Sequence, residues 1–445
     1  MTSVTGDWRL VTRETYSPSH QSPVTSHPYM PIVIRGNSSF RKDRLMFENK
    51  HIVVGIAGGI AAYKAAGLVS QLRQKGADVH CIMTANAAKL VTPITFGELS
   101  GNDVTVDMFA NISKWDVEHI ALAKLADVFV IAPATADIIG KVANGIADDM
   151  LSTTIMATKA KVLFVPSMNT NMYENPIVQA NMEKLKSFGY EFVEPETGHL
   201  ACNTSGKGRF PALETIMEGI EKCLFGRQLL KGKKIIVSAG GTQENIDPVR
   251  YISNRSSGRQ GYAIAKAAAM EDADVTLVSC TTALPVPAGV KVVYVHDARE
   301  LDKAMNELYD TCDAAIMAAA VSDYRPTVQA TQKIKKEDND CLHIDLTQNP
   351  DILFGLGQKK THQILVGFAA ETQDVIEHGK SKLKRKNLDM LVANDVAMPG
   401  AGFNVSTNIA SLLYKDGHME QYPKMSKDEL GRVIITKIAE LMKSR

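Results

Sequence analysis

Residues 51–64 read HIVVGIAGGIAAYK, and this stretch decides how the chain is built. The apolar run 51–56 has the length of a β-strand, and the segment after Gly59 has the composition and spacing of a helix. Gly58 and Gly59 lie where the strand ends and the helix begins, and the backbone N–H groups of such a turn can bind an anion. The stretch therefore predicts a strand–turn–helix unit with an anion site at its turn.

The same alternation of apolar runs and helical segments continues along the first half of the chain. Predicted strands cover 51–56, 78–83, 104–106, 127–132 and 161–165, and predicted helices cover 60–75, 86–90, 119–125, 136–143 and 175–187. The run Val128–Ile131 is apolar at every position, as in strands that helices cover on both faces. We therefore predict an α/β fold with a parallel, doubly wound sheet.

A second start follows the polar connection 226–232, where the apolar run 235–237 leads into another glycine turn at 239–242. Beyond it we predict helices at 258–270, 299–309 and 426–442, strands at 274–279, 291–295, 313–319, 364–368 and 389–393, and a strand pair within 408–422. One hydrophobic core stops growing at about 250–300 residues, so a chain of 445 residues should form two domains. We place these Rossmann-like domains at 48–228 and 229–445.

Residues 1–45 are rich in Ser, Thr, Pro and Arg and show little hydrophobic periodicity. Such a segment buries too little apolar surface to offset the entropy of ordering, so we predict a disordered extension over 1–47. A transit peptide is one alternative, but Asp7, Glu14 and several prolines argue against a basic amphipathic helix. An upstream start codon is the other, with Met46 as the natural first residue.

Composition excludes several classes of partner. The 50 basic and 49 acidic residues give a formal charge of +1, which predicts no nucleic-acid partner. Six cysteines lie far apart without a C-x-x-C pair, so we expect no structural metal and reduced thiols in the cytoplasm. Apolar runs stay well short of the ~20 residues that cross a bilayer, so no membrane association is predicted.

The first glycine turn favours a mononucleotide over a dinucleotide. A dinucleotide site would need G-x-G-x-x-G and an acidic residue near the end of the second strand. That strand ends instead in Thr84, whose hydroxyl suits a phosphate. FMN therefore fits better than NAD at Gly58, Gly59, Ile60 and Thr84. The alternative is a glycine turn that serves only close packing of helix on strand.

The second glycine turn leads into a long loop, 247–258, that ends in Ser256, Ser257 and Gly258. These residues open a predicted helix, so hydroxyls and free N–H groups point to one place where a phosphate could bind. A well-capped helix is the alternative, but it does not account for Arg250 and Arg255 nearby.

Several motifs together resemble a known family. In the first half these are GGIAAYK at 58–64, APATAD at 132–137 and PSMNTNM at 166–172. They resemble the flavin-dependent cysteine decarboxylases, whose signature is P-x-M-N-x-x-M. In the second half they are AGGTQE at 239–244, DPVRYISNRSSG at 247–258 and AAAVSDYR at 318–325. Over residues 48–440 the chain resembles fusions of phosphopantothenoylcysteine decarboxylase with phosphopantothenate–cysteine ligase, enzymes of coenzyme A biosynthesis.

For the first half, the resemblance implies a flavodoxin-like decarboxylase fold with FMN also held by Pro133, Ala134 and Thr135. It implies that His119 exchanges protons near the substrate thiol and carboxylate, and that Asn169 holds the carboxylate. Cys202 would return a proton to the product from a flap. The alternatives are a helix-start histidine, a helix-capping asparagine and a buried structural thiol. The chain departs from many relatives in having Ala57 in the phosphate cradle and Asn203 and Phe210 in the flap.

For the second half, the resemblance implies a ligase fold with a mainly parallel sheet. The carboxylate of 4'-phosphopantothenate attacks the α-phosphate of CTP, Mg²⁺ neutralises the leaving pyrophosphate through the nucleotide phosphates, and free cysteine opens the acyl-cytidylate. Asn254 would orient the carboxylate, and Lys333 would stabilise the developing phosphate charge. A solvated lysine cluster is the alternative for Lys333. The other residues implied in binding CTP or phosphopantothenate are Arg250, Ser256, Ser257, Gly258, Ala318, Ala319, Asp323, Asn349, Pro350, Asp351, Ile352, Phe368, Lys382 and Lys386.

Three other functions stay open to test: a flavin-free binding protein, an NAD-dependent dehydrogenase, and a fusion with one competent half or with another cysteine-terminated substrate. The dehydrogenase would need the missing ribose-binding acid. The resemblance also implies a homo-oligomer, with trimers through the flavin half, dimers through the ligase half and together a dodecamer.

Overall fold

The computed structural model describes residues 46–109, 118–199, 205–335, 342–371, 375–395 and 407–445. The predicted extension lies outside these residues except for its last two, Met46 and Phe47. Phe47 is fully buried and stacks on Phe225, with ring centroids 6.4 Å apart. Phe47 therefore packs into the core of the first half, beneath the last helix of that half.

The first half alternates strands and helices as predicted. Its elements, in chain order, are β1 (His51–Ile56), α1 (Ala62–Gln74), β2 (Asp78–Met83), α2 (Ala85–Ala88), α3 (Pro93–Ser100), β3 (Val104–Thr105), α4 (Glu118–Leu125), β4 (Val128–Ala134), α5 (Ala136–Ala143), α6 (Met150–Ala157), β5 (Lys161–Pro166), α7 (Thr170–Tyr173), α8 (Pro176–Ser187), β6 (Glu191–Phe192), β7 (Glu196–His199), β8 (Ser205–Arg209) and α9 (Leu213–Phe225). Six strands form one sheet in the order β3-β2-β1-β4-β5-β6, and all their pairings are parallel.

The sheet of the first half is covered on both faces, as its uninterrupted apolar strands predict. Along β1, Ile52, Val54 and Ile56 pack into one core cluster, and Val53 packs into the other. Successive side chains of a strand point to opposite faces, so both faces of this strand must meet helices. The predicted doubly wound α/β architecture is therefore confirmed for this half.

The second half repeats this plan with a larger sheet. Its elements are β9 (Lys234–Ala239), β10 (Gln243–Asn245), β11 (Tyr251–Ser253), α10 (Arg259–Met270), β12 (Asp274–Ser279), β13 (Val290–Tyr294), α11 (Ala298–Tyr309), β14 (Ala314–Met317), β15 (Tyr324–Pro326), β16 (Leu346–Gln348), α12 (Ile352–Lys359), β17 (Ile364–Glu371), α13 (Val375–Arg385), β18 (Met390–Asp395), β19 (Thr407–Tyr414), β20 (Met419–Ser426) and α14 (Lys427–Lys443). The main sheet has the order β13-β12-β9-β14-β17-β18-β19-β20. The pairings β18–β19 and β19–β20 are antiparallel, and the other described pairings of this sheet are parallel, so the predicted mainly parallel sheet is confirmed.

In both sheets the strand order reverses beside the first strand of the half. The reversal lies between β1 and β4 in the first half and between β9 and β14 in the second. Loops leave such a point in opposite directions and open a crevice at the carboxyl ends of the strands, where ligands of α/β proteins bind. The two glycine turns found in the sequence follow β1 and β9, the first strand of each half.

The connection between the halves is held by hydrogen bonds. Backbone N–H groups of Arg227 and Leu229 donate to Glu271 at 2.9 and 3.2 Å. On α9, the carboxylate of Glu221 is buried and pairs with Lys266 of α10 at 3.3 Å and with Arg432 of α14. Burial lowers the pKa of Lys266, but the nearby charges of Glu221 and Glu218 outweigh it and raise that pKa.

Among the described residues, no helix is both long and apolar enough to cross a bilayer. The sequence analysis missed several elements: the helices α3, α6, α7, α9, α12 and α13, the short strand β6, and the strands of the two-stranded sheets β7–β8, β10–β11 and β15–β16. The basic residues Lys380, Lys382, Lys384 and Arg385 all belong to α13.

Candidate functional sites

The glycine turn of the first half lies against the end of β4. A side-chain Cβ placed on Gly59 would come within 3.3 Å of Thr135 Cγ2 and 3.6 Å of Pro133 Cγ. The backbone N–H of Ala57 donates to Pro133 O at 3.3 Å, and the peptide bond before Pro133 is cis. The structure therefore brings together the two stretches that were predicted from separate motifs to hold a flavin.

Two threonines complete this carboxyl edge. Thr84 caps α2, accepting from Ala87 N–H at 3.1 Å, and Thr135 caps α5, accepting from Ile138 N–H at 3.4 Å. A hydroxyl that accepts through a lone pair still has its own hydrogen to donate. Thr84 N–H also donates to Ile56 O at 3.0 Å, which fixes the end of β2 beside the end of β1. Two hydroxyls are thus available to a phosphate at this edge.

His119 lies in the first turn of α4. This helix leads directly into β4, so its C-terminus lies at the amino edge of the sheet and its first turn points to the carboxyl edge. Thr105, the last residue of β3, donates through its hydroxyl to Glu118 Oε1 at 2.6 Å, which fixes the start of α4. His119 is half-buried, and its Nδ1 is buried without a hydrogen-bond partner.

Asn169 follows β5 and caps α7, accepting from Asn171 N–H at 2.9 Å. The capping role, the alternative at the sequence level, is thus present, and the residue also lies at the carboxyl edge. Strand β8 packs directly on this loop, because Met168 N–H donates to Gly208 O at 3.0 Å. A Cβ on Gly206 would come within 2.4 Å of Thr170 Oγ1, which is itself buried without a partner.

Cys202 and Asn203 lie outside the described residues, in the segment that joins β7 to β8. The hairpin that carries this segment is the one that packs on the Asn169 loop. Phe210, the third departure from the family pattern, is 3% exposed and belongs to the core. Another apolar side chain of similar size could fill the same space in the core at position 210.

The edge fits a flavin nucleotide. His119 Nδ1 and Thr170 Oγ1 are buried polar atoms without partners, and such groups are costly unless a ligand or water satisfies them. Gly59 leaves room against Pro133 and Thr135 that a side chain would fill. The described residues therefore offer a glycine cradle and unsatisfied polar groups at the same edge of the sheet, which suits a flavin nucleotide.

The second half contains a cavity of about 870 Å³ at the carboxyl ends of β14 and β17. Most residues predicted to bind nucleotide line it: Asn254, Ala319, Asp323, Asn349, Pro350, Asp351, Ile352, Phe368, Lys382 and Lys386. A smaller, adjoining cavity of about 140 Å³ is lined by the predicted Ser256, Ser257, Gly258 and Ala318. Because Ala319 and Phe368 border both cavities, the two lie side by side.

Hydrogen bonds fix the polar groups of the large cavity. The Asn254 Nδ2 group donates to Val321 O at 2.9 Å, and Asn349 Nδ2 donates to Ser322 O at 2.8 Å. Both amides therefore hold the loop after β14, which carries Asp323. Lys386 Nζ lies 2.7 Å from Asp351 Oδ1, and Asp351 also caps α12 by accepting from Phe354 N–H. The lining of the cavity thus includes two amides that hydrogen bonds hold in fixed directions. It also includes the Lys386 cation, which pairs with the carboxylate at the start of α12.

The smaller cavity contains residues that the sequence analysis missed. Asn394 Oδ1 and Asn408 Oδ1 are buried without a hydrogen-bond partner. Asn408 Nδ2 donates to Gln260 Oε1 at 3.2 Å. Lys427 is 9% exposed, and burial, helped by the charge of Arg259, lowers its pKa. Asn394 is the last residue but one of the apolar strand β18 and could have been singled out by that position, but nothing local marks Asn408 or Lys427.

Arg250 and Lys333 do not line either cavity. The Arg250 guanidinium donates to Asp247 Oδ2 through Nε at 2.9 Å and Nη2 at 2.6 Å, and Nη2 also donates to Ile334 O at 2.8 Å. Arg250 therefore holds the segment that carries Lys333, while Lys333 itself is exposed. The contacts of Arg250 therefore suit a positioning residue rather than a direct ligand of the nucleotide.

Replacing Asp247 with asparagine should loosen this segment. Its carboxylate is buried, and hydrogen bonds from Arg250 hold its pKa well below the usual range. A lowered native pKa adds stability that is present above the unfolded pKa, near 3.9, and is lost as pH falls below it. We expect Asp247→Asn to reduce ligation about tenfold through misplacement of the Lys333 segment.

The same variant has a pH signature in thermal unfolding. Between about pH 5 and pH 3 the wild-type midpoint should fall more steeply than that of Asp247→Asn, which lacks this titration. Glu307→Gln, which alters an exposed carboxylate of α11, is the control. Parallel curves for wild type and Asp247→Asn would contradict the assignment.

These features define a two-part α/β enzyme, with a flavin-type site in one half and a separate nucleotide-type site in the other. Residues 41–225 match the Flavoprotein family, and residues 230–442 match the family described as the DNA/pantothenate metabolism flavoprotein C-terminal domain. The coenzyme A biosynthesis bifunctional protein CoaBC of Bacillus subtilis (strain 168) is 44% identical over 402 residues, which cover 89% of this chain and 98% of that protein. Its counterpart in Escherichia coli (strain K12) is 43% identical over 392 residues, covering 87% and 96%.

A crystal structure of the C-terminal domain of a CoaBC protein covers 49% of this chain and 100% of that chain, at 39% identity and a TM-score of 0.43. The long matches to the two full-length relatives show the family. The chain belongs to the coenzyme A biosynthesis bifunctional proteins. It is a bifunctional enzyme that combines a flavoprotein decarboxylase with a ligase, which confirms the resemblance noted in the sequence.

Proposed function

We propose that the second half joins cysteine to 4'-phosphopantothenate with CTP as the activating nucleotide, and that the first half then decarboxylates the product with FMN. The observation that carries the proposal is the pair of unlike sites at the two reversal points. One has a glycine cradle beside buried, unpartnered polar atoms, and the other is a cavity lined by amides, carboxylates and lysines. The domain boundaries proposed from the sequence, 48–228 and 229–445, assign one site to each half.

In the decarboxylase half, Gly58, Gly59, Ile60 and Thr84 would hold the FMN phosphate end, with Pro133, Ala134 and Thr135 on the other side of the turn. Bound FMN supplies an electron sink for the cysteine end of the substrate. Asn169 would hold the substrate carboxylate through directed amide hydrogen bonds, without a cation that stabilises the ground state too strongly.

Proton transfers in this half belong to two further residues. His119, whose Nδ1 is buried without a partner, would take the thiol proton and hold it while the carboxylate leaves as carbon dioxide. Cys202 would return a proton to the product. The site is thus expected to control the proton and the orientation of the substrate, which are the tasks that a protein performs for a flavin.

The flavin cradle can be tested at Gly58. A Cβ at this position would lie 2.5 Å from Asn86 Cβ, an atom next to the backbone that cannot swing away. We expect Gly58→Ala to shift the turn and weaken flavin binding about tenfold, measured as the ratio of flavin to protein absorbance. Gly140→Ala is the matched control, because its nearest atom is 3.8 Å away. Equal flavin content in both variants would contradict the assignment of Gly58 to the flavin site.

In the ligase half, the substrate carboxylate would attack the α-phosphate of CTP, so that a C–O–P bond forms and pyrophosphate leaves. The cysteine amine would then attack the acyl carbon, and CMP would leave. Asn254 would orient the carboxylate, and Asp323 and Phe368 would contact the nucleotide. Lys382 and Lys386 would balance triphosphate charge, and Lys333 would stabilise the charge that develops on the phosphate.

Mg²⁺ would enter with the nucleotide phosphates. Asp323 and Asp351 are separate carboxylates of the cavity. Within the described ranges, three potential metal ligands gather only at His51, Asp78 and His80, far along the chain from this cavity. Magnesium commonly keeps its waters and binds through one or two carboxylates plus substrate phosphates, which fits the residues present.

The assembly is also a proposal: trimers through the flavin half and dimers through the ligase half, combined in a dodecamer. Beside the glycine turn, Ile60 and Tyr63 are 64% and 61% exposed, as expected for apolar side chains that a second subunit covers. The native mass would test this. A cytoplasmic location is supported by the described cysteines, which are unpaired and buried.

The deciding experiment supplies the full chain with 4'-phosphopantothenate, cysteine, CTP and Mg²⁺. The expected products are 4'-phosphopantetheine, carbon dioxide, CMP and pyrophosphate, in equal amounts. Replacing CTP with ATP tests which nucleotide the ligase half uses, since no contact of the described residues distinguishes the bases. Accumulation of 4'-phosphopantothenoylcysteine would show that only the ligase half is competent, and a colourless, flavin-free protein without turnover would refute the proposal.

A further inference from the structure

A cluster of three side chains lies at the amino edge of the first sheet, opposite the flavin site. His51 and Asp78 are the first residues of β1 and β2 and pair with each other in the strand register, and His80 pairs with Val53. Asp78 Oδ2 lies 3.0 Å from His51 Nδ1 and 3.2 Å from His80 Nε2. This amino-edge cluster takes no part in either proposed reaction.

We propose that the amino-edge cluster binds one first-row divalent transition metal ion of the Zn²⁺ type, through two imidazole nitrogens and one carboxylate oxygen. All three ligand atoms lie within 4.8 Å of one another. Ligands of a tetrahedral zinc ion, with bonds of 2.0–2.1 Å, lie about 3.3 Å apart. Both histidine–carboxylate separations, 3.0 and 3.2 Å, are close to this spacing. Water fills the fourth position.

The surroundings of Asp78 support this geometry. Asn102 Nδ2 donates to Asp78 Oδ1 at 2.9 Å and to Val79 O at 2.8 Å, so the carboxylate is oriented with Oδ2 towards both imidazoles. Such outer contacts align the ligands of metal sites.

The nature of the donors selects the metal. Imidazole suits Zn²⁺, Co²⁺ and Ni²⁺, whereas Mg²⁺ prefers oxygen ligands in octahedral geometry. The Mg²⁺ of the ligase reaction should therefore not compete at the cluster.

Bound metal would tie the first residues of β1 and β2 together. An ion that binds the folded chain and not the unfolded one stabilises it by mass action. The active-site ends of both strands lie at the other edge, so the expected effect is on stability and not on the chemistry of either half.

The test is calorimetric titration of the tag-free, full-length protein with ZnCl₂ in a reducing buffer with excess Mg²⁺. We expect one zinc ion per chain, a rise in the unfolding temperature on zinc addition, and loss of both effects in His80→Gln and in His51→Gln. Asn102→Ala should bind zinc about tenfold more weakly. His418→Gln is the matched control, because His418 is an exposed histidine 3.5 Å from Glu420 and should leave both effects unchanged.

Co²⁺ reports the coordination. The wild-type complex should show the visible absorption of a four-coordinate ion, and His80→Gln should not. Unfolding curves in EDTA establish that each variant is folded without metal. The proposal is overturned if wild type binds no zinc under these conditions, or if His80→Gln and His51→Gln keep the wild-type stoichiometry and affinity.

Discussion

Replacing His119 with glutamine should lower the rate of decarboxylation by about two to four orders of magnitude while ligation stays unchanged. Glutamine can still form hydrogen bonds of similar reach, but it cannot exchange a proton near neutral pH. In the structure His119 Nδ1 is buried without a hydrogen-bond partner, as expected of a group whose partner is the substrate. Carbon dioxide release from synthetic 4'-phosphopantothenoylcysteine measures the effect without the ligase step.

Two controls make this result specific. Flavin content of His119→Gln should equal that of wild type, which shows that the cradle is intact. His51→Gln changes a histidine of the same half at the opposite edge of the sheet, and its decarboxylation rate should stay at the wild-type level. If the His119→Gln enzyme kept more than a tenth of the wild-type rate, His119 would have only the structural role of a helix-start residue and no role in proton transfer.

Replacing Asn254 with aspartate should reduce ligation about 10²–10³-fold and leave decarboxylation unchanged. Asn254 Nδ2 donates to Val321 O at 2.9 Å, and a carboxylate would instead face that oxygen and repel it. The added negative charge would also repel the phosphopantothenate carboxylate that the residue is proposed to orient. Pyrophosphate release in the presence of CTP and cysteine measures the loss.

The reciprocal variant, Asn169→Asp, completes the design. It places a negative charge where the substrate carboxylate should bind and is expected to abolish decarboxylation while ligation continues. Asn306→Asp makes the same chemical change on α11, outside the lining of the ligase cavity, and serves as the control. If either active-site variant lost both activities, the two sites would not be independent.

The strand–turn–helix units could be predicted because their signals are local. The runs around Ile52–Ile56 and Val128–Ile131 are apolar at every position, and only strands covered on both faces need such runs. Helix α6 was missed for a related reason. Its sequence, MLSTTIMA, has no polar face, since most of it is buried, and a buried helix lacks the amphipathic period on which prediction depends. The capping box at Asp149 and Ser152 was the available signal.

The residues that line the two cavities of the second half also divide into those that the sequence marks and those that it does not. Asn254, Asp323 and Asn349 lie in motifs that mark them without a structure, and the structure brings them into one cavity. Asn408 and Lys427 lie in no such motif. They reach the site because β19 pairs with β18 at the far side of the sheet and α14 packs back on α10, which are contacts between segments distant in the chain.

The amino-acid sequence by itself determined the two α/β halves, the two glycine turns and the family of the enzyme, because each depends on residues that are neighbours along the chain. Only the tertiary structure decided that Arg250 supports the Lys333 segment, that α9 is tied to the second half through Glu221, and that His51 meets Asp78 and His80. Those outcomes depend on strand order and side-chain direction, and they arise when packing brings distant segments together.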